Sequence, residues 1–125
     1  MKIGYYPQKY IKNNVVSFLE EHARCQPDKI AFYFLNKEAS QLEEFNHNSI
    51  TYSDLNSKIV SVAGGFSKLG IGRNDRVIVF VPISPELYIS IVALQHMGAI
   101  PVLLDSTARQ EQLAAIVQNS GPSGI

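Results

Sequence analysis

Asp105 is the side chain best placed by sequence to meet a ligand. It follows the apolar run Ile100-Pro101-Val102-Leu103-Leu104. Ligands of open α/β sheets collect at the carboxyl ends of parallel strands. A second role competes: a short acidic residue before Ser106 and Thr107 also marks a helix start, and that capping role is preferred. The other candidates are scattered. His22 and Cys25 stand one helical turn apart and make half a metal site, yet no second pair supplies the remaining ligands. His96 falls near a helix C-terminus, where positive charge is favoured, and His47 falls in a polar stretch. Cys25 follows no helix N-terminus that would lower its pKa, so it reads as an inert thiol. Glu20-Glu21 and Glu43-Glu44 are sequence neighbours, which do not face each other on a helix, so both pairs read as solvated.

Phosphate and nucleophile motifs are missing. Gly-x-x-x-x-Gly-Lys-Ser/Thr does not occur. Gly64, Gly65, Gly70 and Gly72 lie within and after a helical pattern, whereas a dinucleotide loop needs its glycines between a strand and a helix. Helix packing and capping explain them better. Gly121-Pro122-Ser123-Gly124 is not the Gly-x-Ser-x-Gly elbow, and no strand leads into it. The expectation is that these residues include no catalytic, cofactor-binding or metal-binding side chain.

Composition narrows the partners. Hydrophobic residues make up 46%, in the ordinary globular range. Lys+Arg and Asp+Glu are both 11, so the formal net charge is zero. Nothing in that balance attracts nucleic acid or an anionic membrane, and near-neutral chains tend to self-associate. One cysteine permits no intrachain disulfide. Residues 1–12 lack the apolar centre of a signal peptide, and no apolar stretch is long enough to span a bilayer. The setting expected is soluble and cytoplasmic.

The elements that must position any site follow from periodicity. Residues 1–13 read as an extended arm, and 14–125 as one α/β domain. Asn14 caps a helix to about Cys25, with Val15, Phe18, Leu19, His22 and Ala23 on its inner face. Lys29–Leu35 and Asn48–Tyr52 read as strands of an antiparallel ribbon joined by a polar loop. Thr51 and Asp54 have capping-box spacing ahead of a helix with Leu55, Ile59, Val62, Phe66 and Leu69 on one face. Gly64 and Gly65 inside that helix imply a close packing partner, and Gly70 ends it. Arg76–Pro82 is apolar enough for a strand covered on both faces. Ser84 and Pro85 start a helix over Glu86–Met97 that is apolar nearly all round, and Gly98 stops it. Ile100–Leu104 is a second buried strand. A last helix starts at Asp105, Ser106 or Thr107 and runs to about Gln118, turning Leu113, Ile116 and Val117 inward. Strand, helix, strand, helix from Arg76 onward implies parallel crossovers. The series reads as cut, not finished, at Gly121-Pro122-Ser123-Gly124-Ile125.

Taken together, these segments resemble the start of the adenylate-forming (AMP-binding) superfamily: acyl- and aryl-CoA synthetases, peptide-synthetase adenylation domains and luciferases. Ile50-Thr51-Tyr52-Ser53-Asp54-Leu55-Asn56 resembles the family's Thr-Tyr-x-Glu-Leu motif, with Asp54 for the usual Glu. Ala93–Asp105 (A-L-Q-H-M-G-A-I-P-V-L-L-D) resembles its second motif of helix end, Gly-Ala and strand. Leu69-Gly70-Ile71-Gly72 with Asp75-Arg76-Val77 looks like the family's turn into its first buried strand. Gln26-Pro27-Asp28-Lys29-Ile30-Ala31 also fits. The likeness covers nearly all of residues 14–118, and its motifs are structural.

The resemblance implies the N-terminal segment of a ligase in which a carboxylate attacks the α-phosphate of ATP, giving an acyl-adenylate and pyrophosphate. Transfer to the thiol of CoA or of a carrier follows. The implied needs of the parent are ATP, Mg and CoA; the phosphate loop, the ribose-binding Asp and the catalytic Lys of the family match no residue of this sequence. The segment itself is therefore expected to be inactive. Ala99–Asp105 departs from the Gly-Gly-Ala-Tyr-Val-Pro pattern of peptide-synthetase domains and looks nearer to acyl-CoA synthetases, which points to an acyl carboxylate and fatty acid metabolism. A non-enzymatic α/β binding module and a peptide-synthetase fragment are the alternatives. Apolar surface around Phe66, Val79 and Leu94 is expected to stay open and to favour a homodimer.

Overall fold

The computed structural model describes residues 14–35, 47–105 and 107–122. The arm expected over 1–13 and the polar loop over 36–46 lie outside the described residues. In chain order the elements are α1 (Val16–Cys25), β1 (Ile30–Leu35), β2 (His47–Thr51), α2 (Tyr52–Lys68), β3 (Arg76–Val79), α3 (Pro85–His96), β4 (Ile100–Leu103) and α4 (Gln110–Ser120).

Each boundary has a local cause. Asn14 turns the chain into α1: its Oδ1 accepts from the Val16 amide at 3.0 Å, and its Nδ2 donates to the Gln95 carbonyl at 2.8 Å. One side chain thus starts α1 and ties it to the end of α3. Thr51 caps α2, its hydroxyl accepting from the Asp54 amide at 3.2 Å. Ser84 caps α3 by accepting from the Leu87 amide at 3.3 Å, with Pro85 in the first turn. Gly98 has φ +78, and a Cβ there would lie 3.1 Å from Cγ of Arg73. Glycine takes that position without strain, and it turns α3 into β4.

β1 and β2 pair antiparallel, with an irregularity between Ile30 and Phe32, while β3 and β4 pair parallel, with Arg76 opposite Ile100 and Val79 opposite Leu103. The α/β class, the ribbon and the parallel crossover through α3 therefore all hold. The core has two parts. Ile50, Leu55, Ile59, Ala63, Ile89 and Ala93 join α2 and α3 to the ribbon. Val77, Val79, Leu94 and Ala99 join α3 to the parallel strands. Ile59 and Leu94 are the largest fully buried side chains. Each contributes roughly 1.5–3 kcal/mol of apolar burial.

Several expectations are corrected. The inner face of α1 is set by Val16, which is buried, and Val15 is half exposed; Val15, not Asn14, takes the cap position, and its side chain points away from the face that α1 lays on α2 and α3. Leu69 is 79% exposed, because α2 ends at Lys68 and Leu69 is already its cap. Gly64 and Gly65 are exposed, and a Cβ at either would meet nothing within 4 Å, so among the described residues no close partner explains them. β3 is buried at Val77, Ile78 and Val79 but is shorter than the apolar run suggests. β4 is exposed at Ile100 and Leu103, so it is not covered on both faces. α3 buries Ile89, Ala93 and Leu94 but leaves Tyr88 about half exposed. α4 begins at Gln110, because Asp105 and Thr107 close a separate turn, and the Gln112 carboxamide accepts from the Arg109 amide at 3.0 Å to start the helix. None of its residues is buried.

Candidate functional site

The parallel unit delivers its strand ends to one place. β3 runs out into Phe80-Val81-Pro82, and β4 into Leu104-Asp105. The Leu104 amide still donates to the Val79 carbonyl at 3.1 Å, so the strands stay paired to their tips. The N-terminus of α3 rises beside them.

Asp105 is the one carboxylate at these tips, and it is engaged. Its Oδ1 accepts from the Thr107 amide at 2.9 Å, and its carbonyl accepts from the Ala108 amide at 3.0 Å. The Thr107 backbone N–H, and then the Thr107 hydroxyl, hold the carboxyl below the ordinary aspartate range. Asp105 therefore closes a turn ahead of α4 and does not cap that helix, whose N-cap is Arg109. The remaining tip residues, Phe80, Val81, Pro82, Leu103 and Leu104, are apolar. The α3 N-terminus is spoken for as well, since Ser84 takes the Leu87 amide and Glu86 sits in the first turn. A triphosphate needs cations and free N–H groups, and the described tip residues do not by themselves fit one.

The other candidates do not converge. His22 stacks on Tyr52 with ring centroids 4.9 Å apart. Cys25 Sγ donates to Glu21 Oε1 at 3.3 Å, and that hydrogen bond to Glu21 leads the causes that push its pKa up. His96 Nδ1 lies 3.6 Å from Glu20 Oε1, an ion pair only when His96 is protonated. Glu21 also meets Arg24 at 2.7 Å. Glu20 and Glu21 stay largely in solvent, as their sequence suggests, and their contacts come from helical spacing of three and four residues and from the approach of α3. Glu43 and Glu44 lie outside the described residues. Among the described residues no group of three or more His, Cys, Asp or Glu could hold a metal ion. No helix among them is long and apolar enough to cross a membrane.

Two cavities are lined by described residues alone. One, of about 440 Å³, is a shallow space beside Arg109, Gln110, Glu111 and Ala114 at the start of α4. The other, of about 410 Å³, is an apolar groove. Its lining includes Phe66 and Leu69 near the end of α2, Val77 to Val81 along β3, and Leu94 of α3. Residues of both faces of β3 take part and none of β4 does, so the groove follows the edge of β3 that faces away from β4. Phe66, Val79 and Leu94 do line this surface, but Val79 and Leu94 are buried in its floor, and the open apolar rim is Leu69 and Phe80. Sequence reasoning missed the Glu20–His96 contact, which joins two helices far apart in sequence, and the free strand edge, which needs the pairing partner to be known.

Comparison with known proteins follows the same outline. The family model described as AMP-binding enzyme matches residues 19–125. An acetyl-coenzyme A synthetase of Thiobacillus denitrificans is 32% identical over 82 residues, covering 66% of this chain and 12% of its own length. An olefin beta-lactone synthetase of Xanthomonas campestris pv. campestris is 29% identical over 112 residues, covering 90% of this chain and 20% of its own length. The chain thus spans a fifth or less of these relatives. In structure it is similar to the Klebsiella oxytoca NpsA N-terminal subdomain in complex with anthranilyl-AMSN, with a TM-score of 0.77 at 22% identity over 94% of this chain and 28% of that one. That likeness is one of fold.

Proposed function

The chain belongs to the AMP-binding enzyme family, and from that premise we propose that it forms the N-terminal part of an acid-activating, AMP-forming ligase. Its own contribution is scaffolding. The β3–α3–β4 unit builds one wall of the larger enzyme, and the catalytic groups come from outside these residues. The observation that carries this reading is the family match over 19–125. It is supported by strand tips that are apolar except for an already engaged Asp105.

The substrate in this reading is an acyl carboxylate with ATP and Mg, and the acceptor is CoA, with a carrier thiol as the competing acceptor. The Ala99–Asp105 sequence and the 32% identity to an acetyl-coenzyme A synthetase support the CoA reading. A role in fatty acid metabolism and a cytoplasmic setting belong to the same proposal. A second copy of the chain is a further partner, met through open apolar surface.

Pyrophosphate exchange tests the assignment. The 125 residues alone are expected to show no carboxylate-dependent exchange. A longer polypeptide that begins with them is expected to show it, with an acyl acid preferred over aryl and amino acids and with CoA as the productive thiol. Turnover by the 125 residues that survives purification would overturn the scaffold role. Absence of exchange in the longer polypeptide across a broad acid panel would overturn the ligase assignment.

A further inference from the structure

We draw no further inference here: the strongest candidate, the apolar groove of about 410 Å³ along the outer edge of β3 between Phe66 of α2 and Leu94 of α3, carries nothing, because the chain spans a fifth or less of its relatives and nothing in the structure shows what covers that edge.

Discussion

Replacing Gly64 and Gly65 by alanine is expected to stabilise the chain. Both lie well inside the 17-residue α2, both are exposed, and a Cβ on either would meet nothing within 4 Å. Neither has a positive φ. Among the described residues nothing opposes the methyl groups, while each glycine costs a helix interior about 1 kcal/mol against alanine, largely through backbone freedom in the unfolded chain. The pair should gain about 1–2 kcal/mol. At this chain length 1 kcal/mol moves Tm by roughly 3–6 °C, so the double variant should melt about 3–12 °C higher. Urea unfolding followed at 222 nm, at a concentration where the chain is monomeric, should show a raised midpoint and an unchanged m-value. Gly98→Ala is the opposing control. It forces an alanine to φ +78 and puts its Cβ 3.1 Å from Arg73 Cγ, at a cost of about 1–2 kcal/mol for the left-handed backbone alone. A lowered Tm for Gly64→Ala or Gly65→Ala would refute the reasoning, since it would mean that some element sits on that face of α2.

The caps give a second measurement: Thr51→Ala and Ser84→Ala should each lower stability by about 1 kcal/mol in urea unfolding, because each removes a hydroxyl that accepts from the Asp54 or Leu87 amide. Leu94→Ala should cost about 2–5 kcal/mol, toward the low end because Leu94 already borders the open groove and water can fill the space; a loss above that range would show the groove closed in solution. The carboxyl of Asp105 has its folded pKa below its unfolded value. Its contribution is thus complete above the unfolded value and is lost as pH falls through the folded one, and a carbon-detected NMR titration should place its midpoint below that of an unstructured aspartate. Cys25 is shifted the other way, so its alkylation should lag a free thiol at mildly alkaline pH, and Glu21→Gln should speed it.

What the sequence revealed followed the range of the interactions involved. Thr51, Ser84, Pro85, Gly70 and Gly98 act within a few residues of themselves, and each was readable as the boundary it makes. The parallel pairing of β3 and β4 was readable because an apolar strand, an apolar helix and a second apolar strand in that order leave few other arrangements. Reading failed where a neighbour from elsewhere decides the outcome. The choice of Val16 over Val15 for the inner face turns on how α1 lies against α2 and α3. The burial of β4 depends on what lies over Ile100 and Leu103, which no local pattern encodes. Gly64 and Gly65 looked like contact points because a helix interior seldom tolerates two glycines without a reason, and the described structure holds no such contact.

The candidate site shows the same limit. Asp105 had the composition of a ligand residue and the position of one, and geometry decides between its roles: an oxygen 2.9 Å from the Thr107 amide is already satisfied. Pro101 makes the converse case. It stood in the sequence as a blemish in a strand, without meaning until the register was known. Once the Ile100 amide is seen to reach Asp75, Pro101 must face outward, and a residue without an N–H then blunts the outer edge of β4. A single hydrogen bond thus gives a meaning to a residue that the local pattern left unexplained.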